Sequence, residues 1–546
     1  MSDHHRLGSA TVQPAKVRHP GRRLTAVLAV VVVILGLVLA GCGRSGGRTV
    51  SGSAEPAGDP SYVHVAQGTL RGNVAADHRL FAGIPYAAAP VGPLRFAPPA
   101  PAPGWAGVRD ASVFGPRCVQ DPTADPERGR NTSEDCLSLN VWTPPASGER
   151  RPVMVWIHGG AFVNGSSGVY DARWLAARGD IVVVSINYRL GTLGFLAHPA
   201  LGPAGEVGNY GMLDQQAALR WVHDNISAFG GDPDQVTIAG ESAGGMSVCN
   251  HLVAPGSAGL FRAAILMSAP CQAQADLATA QRRSLDYAAA VGCPDPATAA
   301  ACLRALPVDR LRKPVWYYNI GRDELTGPIT GTKVLPVAPL AAFAAGKGSR
   351  VPVMVGTTRD EFTLFVAMRY LQEGERFTAD EYPRLLAETF GADAGKVAAQ
   401  YPPDRYGGVA LAYSATVTDA DFSCVADRMA ATLSGPVYAY EFNDRDAPAP
   451  DPFRTLPFPV GASHSLELRY LFDIGGAPPL NPAQQTLSDT MIDDWSRFVS
   501  SGSPGWPAWD GASGSPRMSL QSSGSHMADG FAQEHQCPFW AGLKGR

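Results

Sequence analysis

Residues 240–244 have the sequence GESAG, a G-x-S-x-G motif that places a serine on a sharp turn between a strand and a helix. The apolar run 235–239 precedes the motif, and the small-residue stretch 243–248 follows it. A serine on such a turn exposes its hydroxyl, and the N-terminal N–H groups of the next helix point towards the same place. The pattern predicts that Ser242 is a nucleophile that attacks a carbonyl carbon.

The motif alone is weak evidence, because the chain contains a second match at residues 43–47, GRSGG. That copy lies in a Gly- and Ser-rich stretch, with no apolar run before it and no helical pattern after it. The required setting of strand, turn and helix therefore separates Ser242 from Ser45.

A second Gly-rich segment, HGGAF at residues 158–162, follows the apolar run 153–157. Ester hydrolysis passes through an intermediate with a negatively charged oxygen, which backbone N–H groups can stabilise. A loop of this kind upstream of a G-x-S-x-G motif is the esterase arrangement, whereas the same loop alone would be an ordinary turn. We therefore expect an oxyanion-binding loop here.

In the α/β-hydrolase order the acid follows the serine, and the histidine comes last. Three histidines lie late enough in the chain: His464, His526 and His535. His526 falls in a Ser/Gly-rich tail and His535 lies beside a cysteine, whereas His464 lies in a loop next to a partly apolar segment. This context favours His464 as the base. The acid is left open, because Asp360 and Glu361 both follow the apolar run 351–355.

The elements that position these residues follow an α/β pattern. Buried strands are predicted where the chain is almost continuously apolar, at residues 153–157, 181–186, 235–239, 351–355 and 437–442. A helix with one apolar face is predicted at 213–229. We expect a mostly parallel sheet with helices on both faces, a helical cap formed by residues 377–422, and an irregular tail over residues 500–530.

The first residues differ from the rest. A basic stretch is followed by the apolar run 24–40 and by the sequence LAGC at 39–42, which resembles a bacterial lipobox. We predict a lipoprotein signal peptide at 1–42 with lipidation of Cys42, a flexible tether at 43–60, and one domain at 61–546. The protein would be exported and held at the cell membrane, facing the extracellular side. The alternatives are an uncleaved membrane helix and a secreted protein.

Charge and cysteines limit the class of protein further. The net charge of −4 argues against a nucleic-acid partner, because such proteins carry a basic face. No cluster has the spacing of metal ligands, and no cofactor is expected. Of the nine cysteines, eight remain besides Cys42, an even number that suits four disulfides in an oxidising compartment.

Several motifs in order resemble the type-B carboxylesterase/lipase family, over nearly all of residues 61–546. The motifs are FAGIPYA at 81–87, SEDCL at 133–137, HGGAF at 158–162, NYR at 187–189, GNYG at 208–211, FGGDP at 229–233, GESAG at 240–244, DE at 360–361 and His464. The resemblance implies an α/β-hydrolase fold. It implies Ser242 as the nucleophile, Glu361 as the acid and His464 as the base.

The resemblance also implies that the N–H groups of Gly160, Ala161 and Ala243 bind the oxyanion. It implies the disulfides Cys118–Cys136, Cys293–Cys302 and Cys424–Cys537, which leave Cys249 and Cys271 to pair with each other. The chain departs from many relatives at Phe362, where they have glycine, and at Ala161, which replaces a third glycine.

These observations predict a serine carboxylesterase that acts on small-molecule esters. A lipase is the first alternative, but the loop between Cys118 and Cys136 is charged and polar instead of apolar. A non-catalytic binding protein on the same fold is the second alternative, which the presence of all three candidate catalytic residues disfavours. The sequence leaves the oligomeric state open.

Overall fold

A computed structural model describes residues 58–122, 131–511 and 515–543. The predicted signal peptide, Cys42 and residues 43–57 of the predicted tether lie outside these ranges, as do residues 123–130 of the polar loop. Within the described ranges no helix is both long enough and apolar enough to cross a membrane.

The described residues form twenty strands and sixteen α-helices, which alternate mainly between β9 and β12. The strands are β1 Tyr62–Val65, β2 Gly68–Arg71, β3 Asn73–Val74, β4 Arg79–Pro85, β5 Val108–Asp110, β6 Arg117–Cys118, β7 Thr132–Ser133, β8 Ser138–Thr143, β9 Arg151–Ile157, β10 Val182–Ile186, β11 Gly231–Glu241, β12 Ala263–Met267, β13 Ala275–Asp276, β14 Tyr318–Ile320, β15 Asp323–Leu325, β16 Ile329–Thr330, β17 Val353–Thr358, β18 Val437–Phe442, β19 Arg517–Leu520 and β20 His526–Ala528. The α-helices are α1 Arg173–Ala177, α2 Gly191–Phe195, α3 Tyr210–Asn225, α4 Ala243–His251, α5 Leu277–Ala290, α6 Ala299–Ala305, α7 Pro339–Ala344, α8 Thr363–Met368, α9 Tyr382–Phe390, α10 Ala394–Gln400, α11 Pro403–Tyr406, α12 Val409–Val417, α13 Cys424–Thr432, α14 Pro482–Ser501, α15 Phe531–Glu534 and α16 Cys537–Ala541.

The largest sheet of the described residues has eleven strands in the order β20-β19-β18-β17-β12-β11-β9-β10-β8-β4-β3. The seven strands from β19 to β10 in this order run parallel, but the pairs at both ends of the sheet are antiparallel. The prediction of a mostly parallel sheet therefore holds only for this middle part, and the sheet as a whole is mixed. The sequence reading missed β4 because Gly83 and Pro85 interrupt its apolar pattern.

Apolar side chains cover both faces of the sheet. In β9, Val153 and Val155 belong to one hydrophobic cluster, whereas Met154 and Trp156 belong to another. Successive side chains of a strand point to opposite faces, so the two clusters lie on opposite sides of the sheet. Helices α3 and α4 supply side chains to the first cluster and α14 to the second. The prediction of an α/β fold with helices on both faces is confirmed.

Two predictions about longer segments had different outcomes. Residues 377–422 are mostly helical, as expected, and lie between β17 and β18 in the chain. The irregular tail predicted at 500–530 is wrong in part, because β19 and β20 lie within it and extend the sheet. These strands have only four and three residues, too few to give a recognisable apolar pattern between Gly- and Ser-rich loops.

Among the described residues, four pairs of cysteines lie at disulfide distance, and they are the four pairs expected. They are Cys118–Cys136, Cys249–Cys271, Cys293–Cys302 and Cys424–Cys537, with Cα–Cα separations of 5.0, 6.1, 5.7 and 5.2 Å. All four separations lie in the usual range for a disulfide.

Candidate active site

Ser242 occupies the turn between strand β11 and helix α4. Its backbone has φ 55° and ψ −121°, a conformation that non-glycine residues adopt only under strain. Its N–H donates a hydrogen bond of 3.0 Å to the carbonyl oxygen of Met267, at the end of the neighbouring strand β12. Ser242 is partly exposed between two buried neighbours. These are the features of a nucleophile elbow.

The two glycines of the motif allow the close packing around this turn. A Cβ atom on Gly240 would collide with the backbone of Gly244, and one on Gly244 would collide with the carbonyl oxygen of Ile157. Ile157 is the last residue of β9, so the start of α4 lies directly against the neighbouring strand. A side chain at either glycine would push strand and helix apart.

The predicted oxyanion loop begins immediately after β9. Gly160 has φ 102° and Ala161 has φ 53°, and the carbonyl oxygen of Gly160 accepts hydrogen bonds from the N–H groups of Val163 and Asn164 at 2.9 and 3.0 Å. A Cβ atom on Gly159 would lie 3.2 Å from the Cβ of Ser242. The structure therefore brings this loop into contact with the elbow, where Ala243 begins helix α4.

The candidate acid and base lie within hydrogen-bond distance. Nδ1 of His464 is 2.6 Å from Oε2 of Glu361, and both side chains are buried. Oε1 of Glu361 accepts a hydrogen bond of 2.8 Å from the N–H of Thr358, which fixes the carboxylate. Asp360, the other candidate acid, instead pairs with Arg445 at 2.7 Å. The structure thus directs Glu361, and not Asp360, towards the imidazole.

The other ring nitrogen of His464 lies near a second carboxylate. Its Nε2 is 3.1 Å from Oε1 of Glu241 and has no hydrogen-bond partner among the described residues, so Ser242 and His464 are not hydrogen-bonded to each other. Oε1 of Glu241 accepts a hydrogen bond of 2.6 Å from the hydroxyl of Ser465. Catalytic hydrogen bonds often form fully only when substrate is bound.

Three buried carboxyl groups control the charge of this imidazole. Burial alone would lower the pKa of His464, but the carboxylates of Glu241 and Glu361 outweigh it and raise that pKa to about 9. Burial raises the pKa of Glu241. Burial and the neighbouring carboxylates raise the pKa of Glu467 well above its ordinary value.

Aromatic rings enclose the histidine. The ring centroids of Phe365 and Phe422 lie 5.4 and 5.5 Å from that of His464. Phe422 belongs to the helical segment between β17 and β18, so this segment reaches the candidate site. Phe362, which stands next to Glu361 where many relatives have glycine, is buried. Its ring stacks on that of Phe365, with 4.8 Å between the ring centroids.

Sequence reasoning missed Glu241 and Glu467 as members of this cluster. Glu241 directly precedes the candidate nucleophile Ser242, and Glu467 follows His464 by three residues in the short 3₁₀ helix Leu466–Tyr470. Both positions were visible in the sequence. The only signal was adjacency to a candidate catalytic residue, which does not reveal where a side chain points.

His535, which the sequence analysis set aside as a candidate base, is also buried. Nδ1 of His535 is 2.6 Å from Oδ1 of Asp419, and its Nε2 is 2.6 Å from Oε1 of Glu441. Burial alone would lower the pKa of His535, but the two carboxylates outweigh it and raise that pKa to about 10. This histidine is a buried cation that joins three distant parts of the chain, not a surface residue. Its partners lie so far away in sequence that no local pattern points to them.

Comparison with known proteins agrees with this geometry. The model of the carboxylesterase family matches residues 59–540. The chain is 36% identical over 443 residues to fumonisin B1 esterase of Sphingopyxis macrogoltabida, covering 78% of this chain and 77% of that protein. It is 35% identical over 479 residues to para-nitrobenzyl esterase of Bacillus subtilis, covering 82% and 92% of the two chains.

Human cocaine esterase is also similar, with 33% identity over 520 residues that cover 88% of this chain and 89% of that one. The family match extends over almost all of the described chain, including the elbow, the loop after β9 and the buried histidine. This chain therefore belongs to the carboxylesterase family, and it is a carboxylic ester hydrolase with the α/β-hydrolase fold.

Proposed function

We propose that this enzyme hydrolyses esters by two-step acyl transfer, with Ser242 as nucleophile, His464 as base and Glu361 as the acid that orients the base. The contact of 2.6 Å between Nδ1 of His464 and Oε2 of Glu361 supports this proposal most directly. A carboxylate that accepts from Nδ1 leaves Nε2 free to take a proton.

In the first step, Nε2 of His464 takes the hydroxyl proton of Ser242 while Oγ forms a bond to the ester carbonyl carbon. The carbonyl oxygen becomes negatively charged and accepts hydrogen bonds from the N–H groups of Gly160, Ala161 and Ala243. The intermediate then collapses, the bond to the alcohol oxygen breaks, and His464 donates its proton to the departing alcohol.

In the second step, water loses a proton to His464 and attacks the acyl-enzyme. The same N–H groups bind the second oxyanion, and the carboxylic acid leaves as Ser242 recovers its proton. The substrate is a small-molecule ester, a class supported by the names of the three esterase relatives.

The decisive experiment measures hydrolysis of a short-chain para-nitrophenyl ester by the wild type and by Ser242→Ala. We expect the substitution to lower kcat by about 10⁴-fold or more, because the nucleophile is lost. Ser45→Ala is the matched control, since Ser45 lies in the other G-x-S-x-G match, and it should retain full activity. Wild-type turnover by Ser242→Ala would refute the proposal.

We also propose that the enzyme is exported and lipidated on Cys42 after cleavage of residues 1–41. The apolar run 24–40 ending in LAGC supports cleavage, and four cysteine pairs at disulfide distance suit an oxidising compartment. Mass spectrometry of the mature N-terminus tests this. A diacylglycerol-modified Cys42 is expected, and an intact Met1 would refute it.

A further inference from the structure

Asp360, which is not directed towards the imidazole, connects the turn that carries the acid to the loop that carries the base. Its backbone N–H donates to the carbonyl oxygen of Ala462 at 2.9 Å. Its Oδ2 accepts a hydrogen bond of 3.0 Å from the N–H of Ala462. Both hydrogen-bonding groups of the Ala462 backbone are therefore bound by this one residue.

A third hydrogen bond continues the same connection. The backbone N–H of His464 donates to the carbonyl oxygen of Glu361 at 3.3 Å. The two residues of the acid turn, Asp360 and Glu361, thus pair in order with Ala462 and His464. The main chain of the histidine is fixed by the same turn that orients its ring.

The loop at residues 461–464, called here the histidine loop, passes close to the side chain of Asp360. Gly461 has φ 63°, a left-handed conformation that glycine adopts without strain. A Cβ atom at this position would collide with Oδ2 of Asp360. A glycine is therefore required where the loop passes over the carboxylate.

Arg445 holds the carboxylate of Asp360 in the orientation that this contact needs. Its Nε and Nη2 donate to Oδ2 and Oδ1 of Asp360 at 2.9 and 2.7 Å, a bidentate pair. Such pairs fix the plane of a carboxylate as well as its position. The Arg445 side chain is 59% exposed, so solvent screens the attraction, and the pair matters mainly for geometry.

From these contacts we infer that Asp360 is a positioning residue, which sets the distance of His464 from Ser242 by binding the histidine loop to the acid turn. The inference rests on the proposed Ser242–His464–Glu361 mechanism. A side chain that acts only by placing another side chain affects kcat more than it affects substrate binding. Misplacement of a reacting group by about 1 Å can cost about 100-fold in rate.

Two substitutions separate positioning from acid catalysis. Asp360→Ala removes the acceptor of the Ala462 N–H, and we expect kcat to fall 10- to 100-fold with KM within about twofold of the wild type. Asp360→Asn keeps an oxygen that can accept from Ala462, and we expect it to restore kcat to within about fivefold of the wild type. If Asp360 were the catalytic acid, Asp360→Asn would instead lose about 10⁴-fold.

The rate must be expressed per active site, because a purely structural role would lower only the amount of folded enzyme. Titration of Ser242 with a covalent fluorophosphonate counts competent sites, and kcat per titrated site is then compared. Asp493→Ala is the matched control, since Asp493 makes an equivalent bidentate pair with Arg178 at 2.8 and 2.8 Å, away from the candidate catalytic residues. It should leave kcat per site unchanged.

Each result is decisive. A kcat per site of Asp360→Ala equal to that of the wild type overturns the positioning role, even if Ser242→Ala is inactive and the proposed function stands. A loss in Asp360→Asn as large as in Asp360→Ala also overturns it, because the retained oxygen then has no effect. Restored kcat in Asp360→Asn, with unchanged KM in both variants, supports it.

Discussion

The carboxylate of Glu241 lies 3.1 Å from Nε2 of His464, the nitrogen that takes the proton of Ser242 in the proposed mechanism. An anion at this position favours the protonated imidazole, and the pKa of His464 is raised to about 9 although burial opposes the shift. A base with this pKa is mostly protonated at pH 7. In the proposed mechanism, Glu241 therefore raises the pH at which His464 becomes active as a base.

We predict that Glu241→Gln shifts the acid limb of the kcat/KM profile to lower pH. The base acts only when neutral, so kcat/KM of the wild type rises as pH increases through the pKa of His464. Removal of the Glu241 charge lowers this pKa, and the rise then begins at lower pH. The dependence of kcat/KM on pH, measured with a para-nitrophenyl ester, shows this shift. Glu324→Gln, at an exposed residue, is the control. An unmoved limb would contradict the role of Glu241.

Glu361→Gln should lower kcat by about 10⁴-fold while KM changes little. Glutamine cannot hold Nδ1 of His464 as a carboxylate does, so the imidazole adopts the wrong tautomer. Steady-state kinetics and circular dichroism together separate loss of catalysis from loss of fold. Retention of more than a tenth of wild-type kcat would show that another group orients the base.

His535→Gln should destabilise the fold most at low pH. The folded-state pKa of His535, about 10, lies above its ordinary value of 6.5. Its contribution to stability is therefore complete below pH 6.5, falls as pH rises, and is lost above about pH 10. At pH 6.5 we expect a loss of about 3–5 kcal/mol, because two buried carboxyl groups lose their cation.

Urea unfolding at several pH values measures this effect. The difference in unfolding free energy between wild type and His535→Gln should shrink steadily from pH 6.5 to pH 10. His223→Gln, at a histidine whose side chain is 53% exposed, serves as the control. A difference that stays constant with pH would show that His535 is not a buried cation.

Gly244→Ala and Gly395→Ala form a matched pair of helix substitutions. At Gly244 the new Cβ collides with the carbonyl oxygen of Ile157, whereas at Gly395 it meets no atom within 4 Å. We expect Gly244→Ala to cost about 1–3 kcal/mol of unfolding free energy and to lower activity. Gly395→Ala should be neutral or stabilising by up to about 1 kcal/mol. Equal stability of the two variants would contradict the packing described for the elbow.

Five of the seven strands in the parallel middle of the sheet, among them β10 and β18, were predictable because they are almost continuously apolar. The antiparallel strand β4 was not predictable because it contains glycine and proline, and β19, the outermost strand of the parallel part, was not predictable because it is short. The same limit applies to the tail, where β19 is defined by pairing with β18, and β20 by pairing with β19, and not by their own residues. Long-range pairing outweighs local pattern in these elements.

Within the candidate site, the sequence identified the residues whose motifs are local, Ser242 above all. It left Asp360 and Glu361 open because adjacent residues share the same local pattern, and only the fold determines which carboxylate meets the imidazole. The resemblance selected Glu361, the residue that lies 2.6 Å from His464. The roles of Asp360 and His535 depend on contacts across roughly a hundred residues and have no sequence signature.

The contacts of His535 also constrain the order in which parts of the chain can fold. Its two partners, Asp419 and Glu441, are synthesised 116 and 94 residues earlier. At ordinary rates of synthesis a ribosome needs about 5–20 s to cover the shorter interval. During that time Asp419 and Glu441 both lack the imidazole that they contact in the folded enzyme. The three-way contact of Asp419, Glu441 and His535 can therefore form only after this interval, however much of the helical segment has folded before it.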